Sequence, residues 1–310
     1  MKHIYIVVIL LLTGSMTLSG QSRLFGERSV FTQYYLTPFL LHPGATGQND
    51  FGQVIGVYRN TWATFPGSPR TFAFGYDGAI GNRIGIGLIG MSDSYAAFST
   101  TKGVVNLSYT ITSPTNKIGF GISGEYIQHG LDSRDLLSTL VDRNDIEIVD
   151  RLDGQTFLDG SIGIYGLYDN KLSYGITLPS LISQRLSGEG DTDQETEIGF
   201  IASLGYRLDI PDRDITFEPS VYVKKLLYVP LHVDINLKAD FLDEQLTAAL
   251  TGSLGAENRI GFLVGTQVNN LGIHYAYNLS THEFQQYNNG SHELSLRFRL
   301  VPYDRSITGQ

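Results

Sequence analysis

Apolar and polar side chains alternate along most of the chain after residue 50. Across residues 231–239 every second residue is apolar, and the residues between them are His232, Asp234, Asn236 and Lys238. Successive side chains of a β-strand point to opposite faces of a sheet. A period of two therefore predicts strands with one apolar face and one polar or small face.

Fourteen segments carry this pattern, and many of them run to ten residues or more. They are residues 51–62, 70–80, 83–92, 98–112, 117–128, 156–168, 171–179, 195–209, 214–225, 230–239, 245–254, 259–268, 271–280 and 291–300. Soluble strands average about 5–6 residues, whereas membrane-spanning strands need about 9–11. We predict an all-β fold, a transmembrane antiparallel β-barrel of about 14 strands with an N-terminal periplasmic or lumenal segment.

Short and long connections alternate between these segments. The short set is residues 81–82, 113–116, 169–170, 210–213, 240–244 and 269–270, and the long set includes 63–69, 129–155, 181–194 and 281–290. Two connections on the long side, 226–229 and 255–258, are short. Outer-membrane barrels have short periplasmic turns and longer external loops, so the alternation favours a barrel. A soluble two-sheet sandwich also alternates and stays open as an interpretation.

The first residues have the layout of a secretory signal peptide. Lys2 and His3 precede an apolar run over residues 4–12, and small residues follow up to a plausible cleavage point before Gln21. We divide the chain into a signal peptide (1–20), an N-terminal periplasmic or plug segment (21–50), an outer-membrane barrel (51–300) and a C-terminal tail (301–310).

Composition narrows the possible functions. Charged residues are 17% of the chain, against about 25% in soluble domains, which suits strands with one face in lipid. The net charge of −9 without a basic cluster argues against nucleic acid as a partner. Cysteine is absent, and the seven histidines show neither metal spacing nor a hydrolase motif. We therefore expect no cofactor, no bound metal and no enzymatic activity.

Residues 31–47 lack the alternation, are rich in aromatic side chains and contain two prolines. Such side chains need a surface to cover them. The segment either folds into the lumen as a plug or docks a periplasmic partner. The candidate residues for this plug or partner site are Phe31, Gln33, Tyr34, Tyr35, Pro38, Phe39 and Pro43.

A second candidate group belongs to the first predicted hairpin. It consists of Tyr58, Arg59, Trp62, Pro66, Pro69, Arg70 and Asp77. Arg59 could pair with Asp77 across neighbouring strands, but it is in phase with the apolar Ile55 and Val57, which predicts that it snorkels near a rim. Trp62 at the strand end fits an aromatic girdle. The loop 66–69 is a candidate surface contact.

Several blocks of sequence follow one another in an order typical of one known family. They are FTQYYLTPFLLHPGATG (31–47), VYRNTW (57–62), FPGSPRTFAFGYDGAI (65–80) and RIGIGL (83–88). Over roughly residues 31–90 the chain resembles the PorP/SprF family of Bacteroidetes. It departs from the family pattern at Thr37 and His42, where Asn is usual, and at Gly44, where Ala is usual.

The resemblance implies an outer-membrane β-barrel of the type IX secretion and gliding-motility machinery. It implies three partners, namely outer-membrane lipid, the C-terminal domain of a secreted adhesin-like surface protein, and periplasmic components of the secretion system. The implied function is export or surface anchoring of that secreted protein. A porin or a channel for hydrophobic compounds is the alternative function.

Overall fold

The computed structural model describes residues 31–131, 154–182, 184–187, 198–210, 213–226, 229–281 and 283–302. The predicted signal peptide and the chain after residue 302 lie outside the described residues. Three short 3-10 helices come first: η1 (Tyr34–Leu36), η2 (Pro38–Leu40) and η3 (Pro43–Ala45). One more, Glu283–Tyr287, precedes the last strand. Within these ranges, no helix is long and apolar enough to cross a membrane.

Sixteen strands follow the first three helices in the described residues. They are β1 (Phe51–Asn60), β2 (Arg70–Ile80), β3 (Ile84–Tyr95), β4 (Phe98–Thr112), β5 (Asn116–Leu131), β6 (Gln155–Tyr168), β7 (Leu172–Leu178), β8 (Gln184–Ser187), β9 (Phe200–Tyr206), β10 (Leu208–Ile210), β11 (Ile215–Lys225), β12 (His232–Phe241), β13 (Leu246–Leu254), β14 (Arg259–Val268), β15 (Leu271–Ser280) and β16 (Ser291–Pro302).

The strands pair antiparallel and close into a barrel. Strands β1 to β7 pair in chain order, and so do β11 to β16. Strand β9 joins the two runs by pairing with β7 and β11, and β16 returns to pair with β1. Strands β9 and β10 both pair with β11 and together occupy one position in the barrel, while β8 lies off its path. The sixteen described strands therefore form a closed barrel with fourteen strand positions. Closure pairs every spanning strand on both sides, as hydrocarbon surroundings require. The predicted barrel and its strand number are confirmed, and a two-sheet sandwich is excluded.

Two details of the strand prediction are wrong. The predicted strand 195–209 begins later and is interrupted at Arg207, which separates β9 from β10. The predicted loop 181–194 contains the short strand β8, which pairs with β6 off the main path of the barrel. Neither detail changes the closure of the barrel.

The outward face of the strands is an apolar band. Outward side chains around the whole barrel are about half exposed, among them Phe72 of β2, Ile122 of β5, Leu237 of β12, Phe262 of β14 and Leu296 of β16. A water-soluble protein rarely exposes contiguous apolar surface of this extent. The band has the character of the lipid-facing surface of an outer-membrane barrel.

The chain between residues 31 and 50 lies inside the barrel. At one end, Thr32 hydrogen-bonds Glu293, near the start of β16 and the long connection before it. At the other end, Lys117 donates to the main-chain oxygen of Gln48, beside the short turn before β5. The segment therefore runs through the lumen from the long-loop end to the short-turn end. Of the two predicted positions of the N-terminal segment, periplasmic or lumenal, the structure has the lumenal one.

The first strand turns its apolar face inward. Ile55 and Val57 are almost fully buried, and Ile55 packs against Phe39 of the lumenal segment. Arg59 shares their phase and is buried, so it faces the lumen near the end of β1, and the prediction that it snorkels is wrong. The ladder sets Arg59 opposite Thr71 and Asp77 opposite Gln53, too far apart for the hypothesised Arg59–Asp77 pair.

Candidate functional site

Glycines on the inner face of the barrel make room for the lumenal segment. We call Gly85, Gly119, Gly121 and Gly163 the glycine wall, because added Cβ atoms at these positions would meet atoms of residues 43–46. A Cβ on Gly44 would in turn lie 2.5 Å from the carbonyl oxygen of Gly119. Only residues without side chains allow main chains to approach this closely. The wall therefore holds η3 against β5 and β6, and Thr46, the next residue, against β3.

Polar groups of the strands satisfy the main chain of this part of the segment. The Ser108 hydroxyl donates to the carbonyl of Thr46 over 2.6 Å. The amide of Gly47, at φ +67°, donates to Asp77 over 2.6 Å. Gln53 donates to the second oxygen of Asp77 over 3.0 Å. Because buried amides and carbonyls need partners, these bonds fix the path of the chain as well as its depth.

His42 is held between two strands on the far side of the lumen. Its Nδ1 lies 2.9 Å from the Thr177 hydroxyl and its Nε2 lies 2.9 Å from the Ser203 hydroxyl. The ring stacks at 5.7 Å on Tyr165 and at 6.3 Å on Tyr222. Burial lowers the pKa of His42 to about 4. A neutral imidazole has one donor and one acceptor, and two hydroxyls complement both.

Four strands contribute polar side chains to a buried ionic cluster. We call Lys224, His232, Asp234, Ser253 and Arg259 the Asp234 cluster. The carboxylate of Asp234 lies 2.7 Å from Lys224 Nζ, 2.9 Å from His232 Nε2 and 3.3 Å from Arg259 Nη2, and it accepts a hydrogen bond from Ser253. Its side chain is inaccessible to solvent. Charges buried this deeply are stable only when they are paired.

Tyr34 of the lumenal segment completes this cluster. Its hydroxyl donates to Asp234 and accepts from Lys224 over 3.2 Å. The Lys224 ammonium lies 4.3 Å from the centre of the Tyr34 ring. The ring packs edge-on against Tyr222 at 4.7 Å, in an apolar cluster with Tyr35 and Leu263. The segment is thus bound to β11 and β12 by polar and aromatic contacts together.

Glu293 binds the start of the segment. Its carboxylate accepts from the amide and hydroxyl of Thr32, over 3.0 and 2.7 Å, and from the amide of Gln33 over 3.2 Å. Gln33 donates back to the Glu293 carbonyl and accepts from Ser295 over 2.6 Å. Arg59 Nε lies 3.9 Å from the same carboxylate. One fully buried carboxylate therefore joins β1, β16 and the lumenal segment.

Replacing Glu293 with alanine is expected to lower the free energy of unfolding by about 1–3 kcal/mol, because buried donors at Thr32 and Gln33 lose their acceptor. Urea unfolding of the purified barrel in detergent micelles measures this change. Glu244 provides the control, since its side chain pairs with Arg207 and Arg299 but is 41% exposed. Equal shifts for Glu293→Ala and Glu244→Ala would contradict a specific role of Glu293.

The structure brings the first predicted group together and divides the second. Gln33, Tyr34, Tyr35, Phe39 and Pro43 are buried in the lumen, and Phe31 and Pro38 lie beside them with partial exposure. In the hairpin group, Arg59 and Asp77 face the lumen, while Tyr58 is exposed on the outer surface. Trp62 and Pro66 lie in the connecting loop with buried Pro69, and Arg70 is exposed at its end. The Trp62 ring meets Tyr95 edge-on at 6.3 Å.

The Asp234 cluster and Glu293 were not among the predicted site residues. The polar face of residues 231–239 suits a lumen, yet nothing local shows that Asp234 is buried or that Tyr34 reaches it. Glu293 is one carboxylate in an otherwise ordinary alternating strand. Among the residues that the structure describes, no group of three or more His, Cys, Asp or Glu side chains is placed to hold a metal ion.

One protein family and several solved structures resemble this chain. Residues 24–298 match the family model for the type IX secretion system membrane protein PorP/SprF. Similar solved structures include the Acinetobacter baumannii outer membrane protein Omp33 (7% identity, 81% of this chain and 98% of that chain, TM-score 0.47). The CymD monoaromatic hydrocarbon channel (9%, 88% and 94%, 0.49) and the Pseudomonas putida toluene transporter TodX (9%, 84% and 91%, 0.46) are also similar. No curated protein matches the chain.

Proposed function

The chain belongs to the PorP/SprF family of type IX secretion system membrane proteins, and from this premise we propose that it supports export or cell-surface anchoring of a cognate secreted protein. The protein is an outer-membrane β-barrel. The proposed cargo is an adhesin-like surface protein, recognised through its C-terminal domain. The role is one of docking and does not involve catalysis.

The occupied lumen is the observation that favours docking over transport. A transport channel needs a continuous path between the two ends of the barrel. Here residues 31–50 run the length of the lumen and are fastened by Glu293, the Asp234 cluster, His42 and the glycine wall. We propose that this segment is a plug, and that partners bind the ends of the barrel and not its interior.

The two ends of the barrel suit different partners. Short turns lie on one side of the barrel, and in outer-membrane barrels that side faces the periplasm. We propose that periplasmic components of the secretion system bind there, near Gln48 and Asn49. The opposite end carries the longer connections, with Trp62 and Pro66 in the loop after β1. That end faces the cell exterior and is the proposed site of the surface protein, while lipid surrounds the apolar band.

A deletion strain and an affinity purification test the proposal together. We expect the deletion strain to lose a surface protein from the outer membrane, and the intact protein in mild detergent to retain that same protein. Re-expression of the wild-type chain should restore the surface protein and serves as the control. Normal surface proteins in the deletion strain, with no protein retained in detergent, would overturn the proposal.

A porin or a channel for hydrophobic compounds is the competing function. The inward polar residues of β12 are compatible with such a pathway. The conductance of the intact barrel in a planar bilayer separates the two. A docking protein with a plugged lumen should stay closed, whereas a porin should conduct steadily without any variant or ligand.

A further inference from the structure

The apolar outer surface contains a groove that the lumenal segment does not reach. The groove has a volume of about 700 Å³ and lies on the lipid-facing side of β3–β7. Side chains from neighbouring strands form its sides, including Leu107 and Tyr109 of β4, Phe120 and Ile122 of β5, and Ile162 and Ile164 of β6. These side chains are between 37% and 58% exposed. The groove is therefore open to the hydrocarbon around the barrel.

The floor of the groove is the bare main chain of the strands. It is formed by Ser108, Gly121 and Gly163, whose own positions face the lumen. Gly121 and Gly163 belong to the glycine wall, so the groove lies directly behind η3. The ladders β4–β5 and β5–β6 pair the floor residues within the sheet. The floor thus offers shape and apolar contact but no spare backbone hydrogen bonds to a partner.

A cation stands at the periplasmic edge of the groove. Arg83 lies in the short connection between β2 and β3, is exposed, and donates from Nη1 to the Tyr109 hydroxyl over 2.9 Å. The Tyr109 ring itself lines the groove. Arginine and tyrosine at this level are typical of the interface between hydrocarbon and lipid headgroups. Guanidinium groups bind phosphate through two parallel hydrogen bonds.

We infer that the groove binds one phospholipid of the periplasmic leaflet, with an acyl chain between β4 and β6 and the phosphate on Arg83. The apolar sides and the paired floor suit a hydrocarbon chain. A strand from a second protein would need backbone partners that the floor does not offer. The charge of Arg83 fits the phosphate at the depth where headgroups lie. This inference rests on the outer-membrane location and is independent of the proposed docking function.

Native mass spectrometry of the intact barrel in mild detergent tests the inference. The delipidated wild-type protein, titrated with dioleoyl phosphatidylethanolamine, should retain one lipid per barrel. Arg83→Gln should weaken retention about tenfold, because it removes charge-assisted hydrogen bonds to the phosphate. Leu107→Trp should also weaken retention, because the larger ring projects into the part of the groove where the acyl chain lies.

Two matched variants serve as controls. Arg213→Gln removes an exposed arginine from the short connection before β11, and Leu250→Trp enlarges an outward side chain of β13 with nearly the same exposure as Leu107. Both should retain the lipid as the wild type does. Heat-modifiable gel migration verifies that all four variants are folded barrels.

Three results would overturn the inference. The first is equal lipid retention by the wild type, Arg83→Gln and Leu107→Trp. The second is dioleoyl glycerol binding as tightly as the phospholipid, which would show that Arg83 holds no phosphate. The third is a second copy of the chain, or another protein, that is lost with Leu107→Trp while lipid retention is unchanged. That result would assign the groove to a protein contact.

Discussion

Replacing Asp234 with asparagine is expected to lower the free energy of unfolding by about 3–5 kcal/mol, the usual cost of removing one partner from a buried ion pair. The substitution keeps the size of the side chain but removes the charge that faces Lys224, His232 and Arg259. Lys224 and Arg259 then remain buried without this counter-charge. Urea unfolding in detergent micelles, followed by the gel migration of folded and unfolded barrel, measures the shift.

Asp209 provides the control for this prediction. It pairs with Arg207 over 2.8 Å, but its side chain is 45% exposed, so Asp209→Asn should change the free energy of unfolding by less than about 1 kcal/mol. Combining Asp234→Asn with Lys224→Met should recover part of the lost stability, because the double variant removes one uncompensated charge. An Asp234→Asn barrel as stable as Asp209→Asn would show that the cluster does not stabilise the fold.

The barrel could be predicted from the sequence because its governing constraints are local. Membrane thickness sets the length of each strand, and the side-chain period of two is visible within a single segment such as residues 231–239. Turn residues mark where each strand ends, as in Ser113–Asn116. The prediction is least accurate at β9. The predicted strand is broken there at Arg207, so that β9 ends at Tyr206 and β10 begins at Leu208.

The inward or outward direction of a face could not be predicted so simply. Alternation identifies the apolar face of a strand, but that face points to lipid only where the lumen beside the strand contains water. Beside β1 the lumen is occupied by Phe39, so Ile55 and Val57 are buried inside the barrel. Arg59 has the same phase and also points inward. The pattern of β1 alone is the same for either direction. The lumenal segment decides it, and that segment contacts β1 only after the barrel closes.

The candidate site depends on contacts between distant parts of the chain. Tyr34 and Asp234 are separated by 200 positions, and Thr32 and Glu293 by 261. The aromatic content of residues 31–47 predicts that the segment is covered, but not by which strands. The registers of β11 to β14 place Lys224, Asp234 and Arg259 together, and no short window of sequence contains that information.

The glycines acquire a specific role once the lumenal segment is considered. Gly85, Gly119, Gly121 and Gly163 alternate with apolar residues, as many barrel strands do. Their inward positions lie against residues 43–46. A Cβ would meet the main chain of these residues at Gly85, Gly119 and Gly121, and the Pro43 ring at Gly163. Glycine in a strand costs stability, because it adds no side chain to pack and loses much conformational entropy on folding. Here the close packing of the lumenal segment against these glycines offsets that cost.

Replacing Gly121 with valine is expected to open the lumen. A Cβ at this position would overlap the main chain of Pro43 and Gly44, which cannot move aside as a flexible side chain can. Overpacking of this kind costs about 1–3 kcal/mol. If the segment is displaced to relieve it, the barrel should conduct ions in a planar bilayer about 5- to 150-fold more often than the wild type, since about 1.4 kcal/mol corresponds to a factor of ten.

Gly124 on the same strand makes the effect of Gly121→Val interpretable. It faces outward, and a Cβ there would meet no atom within 4 Å, so Gly124→Val should leave conductance unchanged. Valine also suits a strand better than glycine, and the control barrel should fold at least as well. Gly121→Val with native gel migration and wild-type conductance would show that contacts elsewhere hold the segment. Opening in Gly121→Val alone would show that the glycine wall keeps the lumen closed.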